Sequence, residues 1–243
     1  MRGIVLGDSF MQGIFLGDDQ TPPECLRRAL ERRLKTKVSI LNTGHLGYSP
    51  EQYYATLMAY VDRFRPHFVV VNVFANDFGN AHKALQGPAD WDEGLYWLNL
   101  ISEWCRIRRI AQLFVMAPME AQMTGKRNSA SYPGILSSRL EANGTQYLNP
   151  IEAFVDENLE LLSQAKRRGR RPPSSPLFNG HITDGPFSPL GSELWASCVA
   201  RRLASLLEKE KEAGAPAHGD LPGIETTTDD DPRSADGERN PDE

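Results

Sequence analysis

The segment HFVVVNVF, residues 67–74, constrains the fold more than any other part of the chain. It is apolar at nearly every position, whereas a strand with one face in water alternates apolar and polar side chains. A continuously apolar strand is typical of a parallel sheet that is covered by helices on both faces. The segment therefore predicts a buried strand in such a sheet.

The rest of the chain alternates between short apolar segments and helical patterns. Four further segments are strand candidates: GIVLGD (3–8), KVSILN (37–42), AQLFVMAP (111–118) and TQYLNP (145–150). Helical patterns occupy residues 21–35, 49–64, 92–109, 134–143 and 188–211. This alternation predicts the α/β class. We expect a three-layer sandwich of about five parallel strands with helices on both faces, in which ligand sites form at the carboxyl ends of the strands.

Charge divides the chain into a nearly neutral body and an acidic tail. Residues 214–243 contain nine acids and two arginines, hence a charge of -7, so residues 1–213 carry +2 of the net -5. The body therefore gives no support for a nucleic-acid partner. Because the tail has few apolar residues, it cannot offset its ordering entropy, and we expect a domain at 1–213 followed by a disordered acidic tail.

The remaining compositional signals exclude several classes of protein. Cys25, Cys105 and Cys198 are widely spaced, which favours small core residues over a disulfide framework or a zinc site. The first residues, MRGIVLGD, lack the pattern of a signal peptide, and no segment approaches the roughly 18 apolar residues of a spanning helix. We expect a cytoplasmic protein with no membrane span.

A basic, proline-containing segment interrupts the alternation. It reads AKRRGRRPPSSP, residues 165–176, with five basic residues and three prolines. The composition favours an exposed, solvated loop. The functional alternative is a lid that binds anions.

Four polar clusters follow strands or precede helices. They are GDSF, NTGHLGYS, FANDF and HITDGPFSPLGSELWA, which begin at residues 7, 42, 74 and 181. A serine at a strand end is well placed as a nucleophile, and a glycine turn lets backbone approach a ligand. An asparagine amide is a good donor to an oxyanion. Each cluster alone is weak evidence for a site, because an ordinary turn explains it as well; for FANDF alone, an Asn/Asp turn is the better explanation.

In their order and spacing the four clusters resemble the SGNH, or GDSL-type, hydrolases, over about residues 3–207. The resemblance implies a flavodoxin-like sheet and acyl transfer from a small-molecule ester or acylated substrate, with no cofactor or metal. Ser9 matches the nucleophile. Gly47 and Asn76 match the oxyanion donors, with Gly44 as the lesser glycine candidate. Asp184 matches the triad aspartate. Phe74 replaces the glycine of the family's GxND pattern.

The last cluster departs from the family at the catalytic histidine. The family places histidine two or three residues after the aspartate, where this chain has Pro186 and Phe187. Proline cannot accept a proton at neutral pH, and loss of the triad histidine in subtilisin costs about a million-fold in turnover. His181, three residues before Asp184, is the strongest candidate for a substitute base; its alternative is an exposed loop residue.

The sequence leaves three hypotheses open. The chain is an active hydrolase that uses His181 or an unexpected group as base. Alternatively, it is a binding protein that retains the oxyanion pocket without turnover. In the third hypothesis it is an altered form, in which Pro186→His restores activity by several orders of magnitude.

Overall fold

The computed structural model describes residues 1–78, 91–123, 134–170, 174–180 and 185–212. His181, Asp184 and the acidic tail lie outside the described residues. The strands are β1 (Arg2–Leu6), β2 (Ser39–Asn42), β3 (Phe68–Val73), β4 (Ala111–Met116) and β5 (Tyr147–Leu148). The α-helices are α1 (Ser9–Gln12), α2 (Pro22–Leu34), α3 (Pro50–Phe64), α4 (Trp91–Ile107), α5 (Glu120–Met123), α6 (Gly134–Ala142), α7 (Ile151–Arg167) and α8 (Pro189–Glu212). Two short 3-10 helices cover Asp18–Gln20 and Ala75–Phe78.

The five strands form one parallel sheet in the order β2-β1-β3-β4-β5. β1 lies between β2 and β3, with Val5 opposite both Asn42 and Val70. All six residues of β3 are buried, as expected for a strand that is covered on both faces. The predicted α/β class and parallel sheet are confirmed.

The direction of the connections changes between β1 and β3. The chain leaves β1 toward β2 at one edge, then crosses back to β3 and continues to β4 and β5. Right-handed crossovers place helices of oppositely directed connections on opposite faces. Accordingly α2 packs against α8, while α3 packs against α4. The carboxyl ends of β1 and β3 therefore flank the switch point, where α/β sheets form their ligand crevices.

The C-terminal helix α8 completes the layer that contains α2. Its buried stripe includes Trp195, Val199 and Leu203. The Trp195 indole N–H donates to Asn72 Oδ1 on β3 at 3.0 Å, which pairs a polar side chain in the centre of the sheet. Within the described residues, no helix is both long and apolar enough to cross a membrane.

Two details of the sequence prediction were wrong. Helix α7 was not predicted, and residues 165–167, which were assigned to a loop, form its last turn. Lys166 and Arg167 lie there, where cations interact favourably with the helix dipole. The interpretation of the cysteines is confirmed for Cys25 and Cys105, which are fully buried, whereas Cys198 is half-buried.

Candidate active site

The end of β1 delivers Ser9 directly to the sheet's carboxyl edge. β1 ends at Leu6, and α1 begins only three residues later with Ser9. Gly7 allows α1 to pack closely against the end of β1, since an added Cβ would lie 3.0 Å from Met11 Cβ and even closer to Met11 Cγ. The serine is consequently held in the first turn of a short helix and is partly exposed.

Asp8 is a buried carboxylate beside Ser9 at the end of β1. Its Oδ1 accepts a hydrogen bond from the Phe10 amide at 3.0 Å, which caps α1. Its Oδ2 lies 3.4 Å from Ser9 Oγ. The Asn76 side chain, in the 3-10 helix that follows β3, lies near enough to lower the pKa of the same carboxylate. One buried carboxylate therefore contacts the candidate nucleophile and lies near the candidate oxyanion asparagine.

A second buried carboxylate lies close to the first. Burial raises the pKa of Asp8 from 3.8 to about 6, against the lowering effect of its hydrogen bonds. Asp77 is buried too, and burial followed by the negative charge of Asp8 raises its pKa well above the ordinary value. Asp77 accepts hydrogen bonds from the Phe74 amide and the Tyr53 hydroxyl, both at 2.9 Å. The centre of the site is thus electrostatically costly to ionise.

The loop after β2, residues 43–48, is tied to β1 and α1. The His45 amide donates to the Gly7 carbonyl at 3.2 Å. The Leu46 amide donates to Gln12 Oε1 at 2.8 Å. These hydrogen bonds place the loop beside the turn that carries the candidate nucleophile.

The two glycines of this loop, Gly44 and Gly47, are required for different structural reasons. An added Cβ at Gly44 would overlap the Gln12 backbone nitrogen and lie 2.5 Å from the Met11 carbonyl carbon. Gly44 therefore allows close backbone contact with α1. Gly47 has a φ of +79°, with nothing within 4 Å of an added Cβ. Its requirement is the left-handed conformation, and it is exposed to solvent.

The last sequence cluster is anchored by a short antiparallel pairing. Phe178 and Phe187 form an isolated β-bridge. The Asn179 amide donates to the Pro186 carbonyl at 2.8 Å. Pro186 is buried. Residue 186 supplies an acceptor to this pairing, which proline provides as well as any other residue.

Phe187 brings this cluster next to the nucleophile. Its ring is fully buried and meets the Phe10 ring edge-on, with centroids 4.8 Å apart. The Phe154 ring of α7 packs against it at 5.3 Å. Since Phe10 directly follows Ser9, aromatic packing positions the last cluster beside the first.

Comparisons with known proteins identify this architecture. No protein-family model matches the sequence, and a search of curated proteins finds no significant match. Among solved structures, the acetyl xylan esterase AlAXEase aligns with a TM-score of 0.61 at 16% identity, covering 84% of this chain and 98% of that one. A G-D-S-L family protein from Desulfitobacterium hafniense aligns with a TM-score of 0.54 at 18% identity, covering 83% and 98%. The chain has the SGNH-hydrolase fold.

A third similar structure is BT4096, a gut microbial diltiazem-metabolizing enzyme. It aligns with a TM-score of 0.58 at 14% identity over 84% of this chain, and this chain spans only 46% of its length. At these identities the likeness establishes the SGNH fold, and activity has to be argued from the residues of this site.

Two histidines lie within the described residues, and neither hydrogen-bonds Ser9. His67 precedes β3 at the opposite, amino edge of the sheet, where its Nδ1 accepts from the Arg2 amide at 3.0 Å. His45 is exposed, with Nδ1 3.0 Å from the Leu46 carbonyl oxygen. In the part of the chain that the structure describes, the hydrogen-bond partner of Ser9 Oγ is therefore the neighbouring carboxylate.

The SGNH-fold structure places three of the five predicted site residues at one edge. Ser9 and Asn76 follow β1 and β3 and lie near the same carboxylate, while Gly47 belongs to the loop after β2. His181 and Asp184 lie outside the described residues, so their positions stay a prediction. No cluster of three or more His, Cys, Asp or Glu residues suited to a metal occurs among the residues described.

Sequence reasoning assigned no role to Asp8 or Phe187. An aspartate immediately before a helix start is a common capping residue, so the local role of Asp8 had a signal. Its proximity to Asn76 had none, because Asn76 is distant in sequence. Phe187 was considered only as a position without histidine, and its aromatic contacts are visible only in the fold.

Proposed function

We propose that the protein is a serine hydrolase of the SGNH type that cleaves ester bonds in small acylated molecules through Ser9. The observation that carries this proposal is that Ser9 and Asn76 follow the neighbouring strands β1 and β3 at the switch point of the sheet, with the Asp8 carboxylate 3.4 Å from Ser9 Oγ and near the Asn76 side chain. Nucleophile and oxyanion donor thereby lie within reach of one ester carbonyl. The esterase and G-D-S-L names of the similar structures agree with this chemistry.

The proposed reaction is acyl transfer in two steps. Ser9 Oγ attacks the carbonyl carbon while a base takes its proton, and the negative charge moves to the carbonyl oxygen. The Ser9 and Gly47 amides and the Asn76 carboxamide donate to that oxygen. The tetrahedral intermediate collapses, and the alcohol leaves with the proton from the base. Water then repeats the sequence on the acyl-enzyme and releases the acid.

The backbone donors of this proposal are free to act within the described structure. Neither the Ser9 amide nor the Gly47 amide donates to a described residue. Both belong to segments held by hydrogen bonds to the β1–α1 turn, so they are arranged before substrate arrives. Donors fixed in advance stabilise an oxyanion without reorganisation during the reaction.

For the base we propose His181, oriented by Asp184. Both belong to the segment between Asn179 and Pro186. The two ends of this segment are close together, since the Asn179 amide nitrogen lies 2.8 Å from the Pro186 carbonyl oxygen. The aromatic contact between Phe187 and Phe10 brings the exit of this connection close to Ser9. The imidazole would take the proton from Ser9 Oγ and return it to the leaving alcohol.

Ser9→Ala tests the proposed function. We expect hydrolysis of p-nitrophenyl acetate and butyrate to fall at least about 1,000-fold, and fluorophosphonate labelling to disappear, because the nucleophile is removed. Ser197→Ala is the matched control, since Ser197 is exposed on α8, and it should retain full activity. Equal ester turnover by wild type and Ser9→Ala would contradict the proposal.

Pro186 favours a second candidate, a binding protein with the SGNH fold. Its ring carries no group that transfers a proton, and it stands at the position where the family pattern has histidine. This candidate predicts that the wild-type protein is not labelled by a fluorophosphonate probe but still binds its ligand. Rapid labelling of wild type at Ser9 would exclude it.

A further inference from the structure

We infer that His45 is a positioning residue, which holds the Leu46–Gly47 peptide so that the Gly47 amide is presented to the oxyanion. The inference rests on the proposed ester hydrolysis, and it names the side chain that fixes one of the backbone donors. Its basis is a hydrogen bond between the His45 ring and the Leu46 carbonyl oxygen, with Nδ1 and the oxygen 3.0 Å apart.

Residues 45–48 form a tight turn whose third position is Gly47. The Tyr48 amide donates to the His45 carbonyl at 3.1 Å, which closes the turn. Gly47 has a φ of +79°, as in a type II turn, where the third residue lies near about +80°. In a type I turn the third residue has a φ of about -90°, and the central peptide is turned over. The direction of the Gly47 N–H therefore depends on which of the two turns is formed.

Gly47 by itself does not choose between the two turns. Without a Cβ, glycine adopts positive and negative φ values about equally readily. Packing does not choose either, since nothing lies within 4 Å of an added Cβ at this position. The orientation of the central peptide consequently depends on hydrogen bonds to that peptide.

The His45 ring supplies such a hydrogen bond. A carbonyl oxygen only accepts, so Nδ1 carries a proton and donates it to the Leu46 oxygen. In a trans peptide the C=O and the N–H point in opposite directions, so the bond to the Leu46 oxygen aims the Gly47 N–H away from the ring. The ring is stacked on Tyr48, with centroids 4.5 Å apart and planes at 26°, which keeps Nδ1 in place.

The other backbone donors of this loop are already engaged. The Gly44 amide donates to Asn42 Oδ1 at 2.9 Å, and the Leu46 amide donates to Gln12 Oε1 at 2.8 Å. The remaining amides of residues 43–49 also have acceptors, apart from Gly47, which has none among the described residues. The loop is thus held on both sides of one amide that is left for a ligand.

The test separates the hydrogen bond from the ring. His45→Phe keeps a ring to stack on Tyr48 but removes the donor, whereas His45→Asn offers an amide N–H at about the position of Nδ1. We expect kcat for p-nitrophenyl acetate to fall at least about tenfold in His45→Phe, with KM changed less than about threefold, because the oxyanion exists only in the transition state and the intermediate. His45→Asn should recover kcat to within about threefold of wild type.

Two controls accompany these variants. His67→Phe makes the same substitution at the amino edge of the sheet and should leave kcat within about threefold of wild type. Because His45 is exposed, both of its variants should keep a Tm within about 2 °C of wild type. A short-chain trifluoromethyl ketone adds to the nucleophile and places negative charge on its oxygen, so its Ki should rise in His45→Phe by about the factor that kcat falls.

Unchanged kcat in His45→Phe would overturn the inference while leaving Ser9-dependent hydrolysis intact. A loss in His45→Asn as large as that in His45→Phe would overturn it too, because it would indicate proton transfer by the ring, which asparagine cannot perform. Absence of Ser9-dependent turnover in wild type would instead overturn the proposed function, and the inference with it.

Discussion

The two halves of the candidate site are held in different ways. Around Ser9, hydrogen bonds join the β1–α1 turn to the loop after β2, and the buried Asp8 carboxylate lies near Asn76 at the end of β3. The last cluster instead depends on the Phe187 ring and a two-residue pairing. The comparison explains how position 186 tolerates proline: its neighbour provides the packing, and only its carbonyl is used in the pairing.

The largest expected effect on stability is at Phe187, whose ring holds the last cluster against Phe10. Phe187→Ala should lower the free energy of unfolding by about 3–5 kcal/mol, because the fully buried ring packs against Phe10, Phe154 and Phe178. Urea denaturation measures the change. Leu190→Ala, in the same region but 53% exposed, should cost less than about 1 kcal/mol. A cost for Phe187→Ala as small as this would show that other contacts hold the last cluster.

A smaller effect on stability is expected at Gly44, in the half of the site around Ser9, where the loop after β2 contacts the backbone of α1. Gly44→Ala should cost about 2–3 kcal/mol, since its Cβ would overlap the backbone of α1 rather than a flexible side chain. Separation of the loop from α1 should also lower kcat/KM about 100-fold. Gly47→Ala, with open space but a positive φ, should cost only about 1 kcal/mol in stability. The reverse ranking of the two glycines would contradict the assigned packing.

The smallest effect is expected at the start of α8. The Ser188 hydroxyl donates to the Pro176 carbonyl at 2.7 Å and accepts from the Gly191 amide at 3.2 Å, as a helix cap. Ser188→Ala should lower the unfolding free energy by about 1 kcal/mol, and thermal unfolding followed by circular dichroism would detect it. Ser197→Ala on the exposed face of the same helix should be neutral within about 0.5 kcal/mol. Identical losses in both variants would argue against the cap.

Local patterns predicted most of the sheet and its flanking helices. The apolar segment at residues 67–74 contains the observed Phe68–Val73 strand, and the pattern at 49–64 matches Pro50–Phe64. The capping box that opens the latter is formed by Ser49 and Gln52, close neighbours in sequence. Such features are encoded within a few residues, which is why sequence alone reveals them.

Helix α7 shows where a local pattern fails. Its polar Asn158 is 1% exposed, whereas the adjacent Leu159 is 59% exposed. The inversion follows from a long-range contact, since the Ser175 hydroxyl donates to Asn158 Oδ1 at 2.7 Å. Periodicity of apolar residues cannot anticipate burial that depends on a hydrogen-bond partner from another segment.

The sequence by itself determined the α/β class and the strand ends that carry Ser9, Gly47 and Asn76, because apolar periodicity and turn chemistry act between near neighbours. Only the tertiary structure decided that Asn76 lies near Asp8 and that Phe187 meets Phe10. These contacts join residues far apart in the chain. Their existence depends on the strand order, which reverses direction between β1 and β3 and so brings separate loops to one edge.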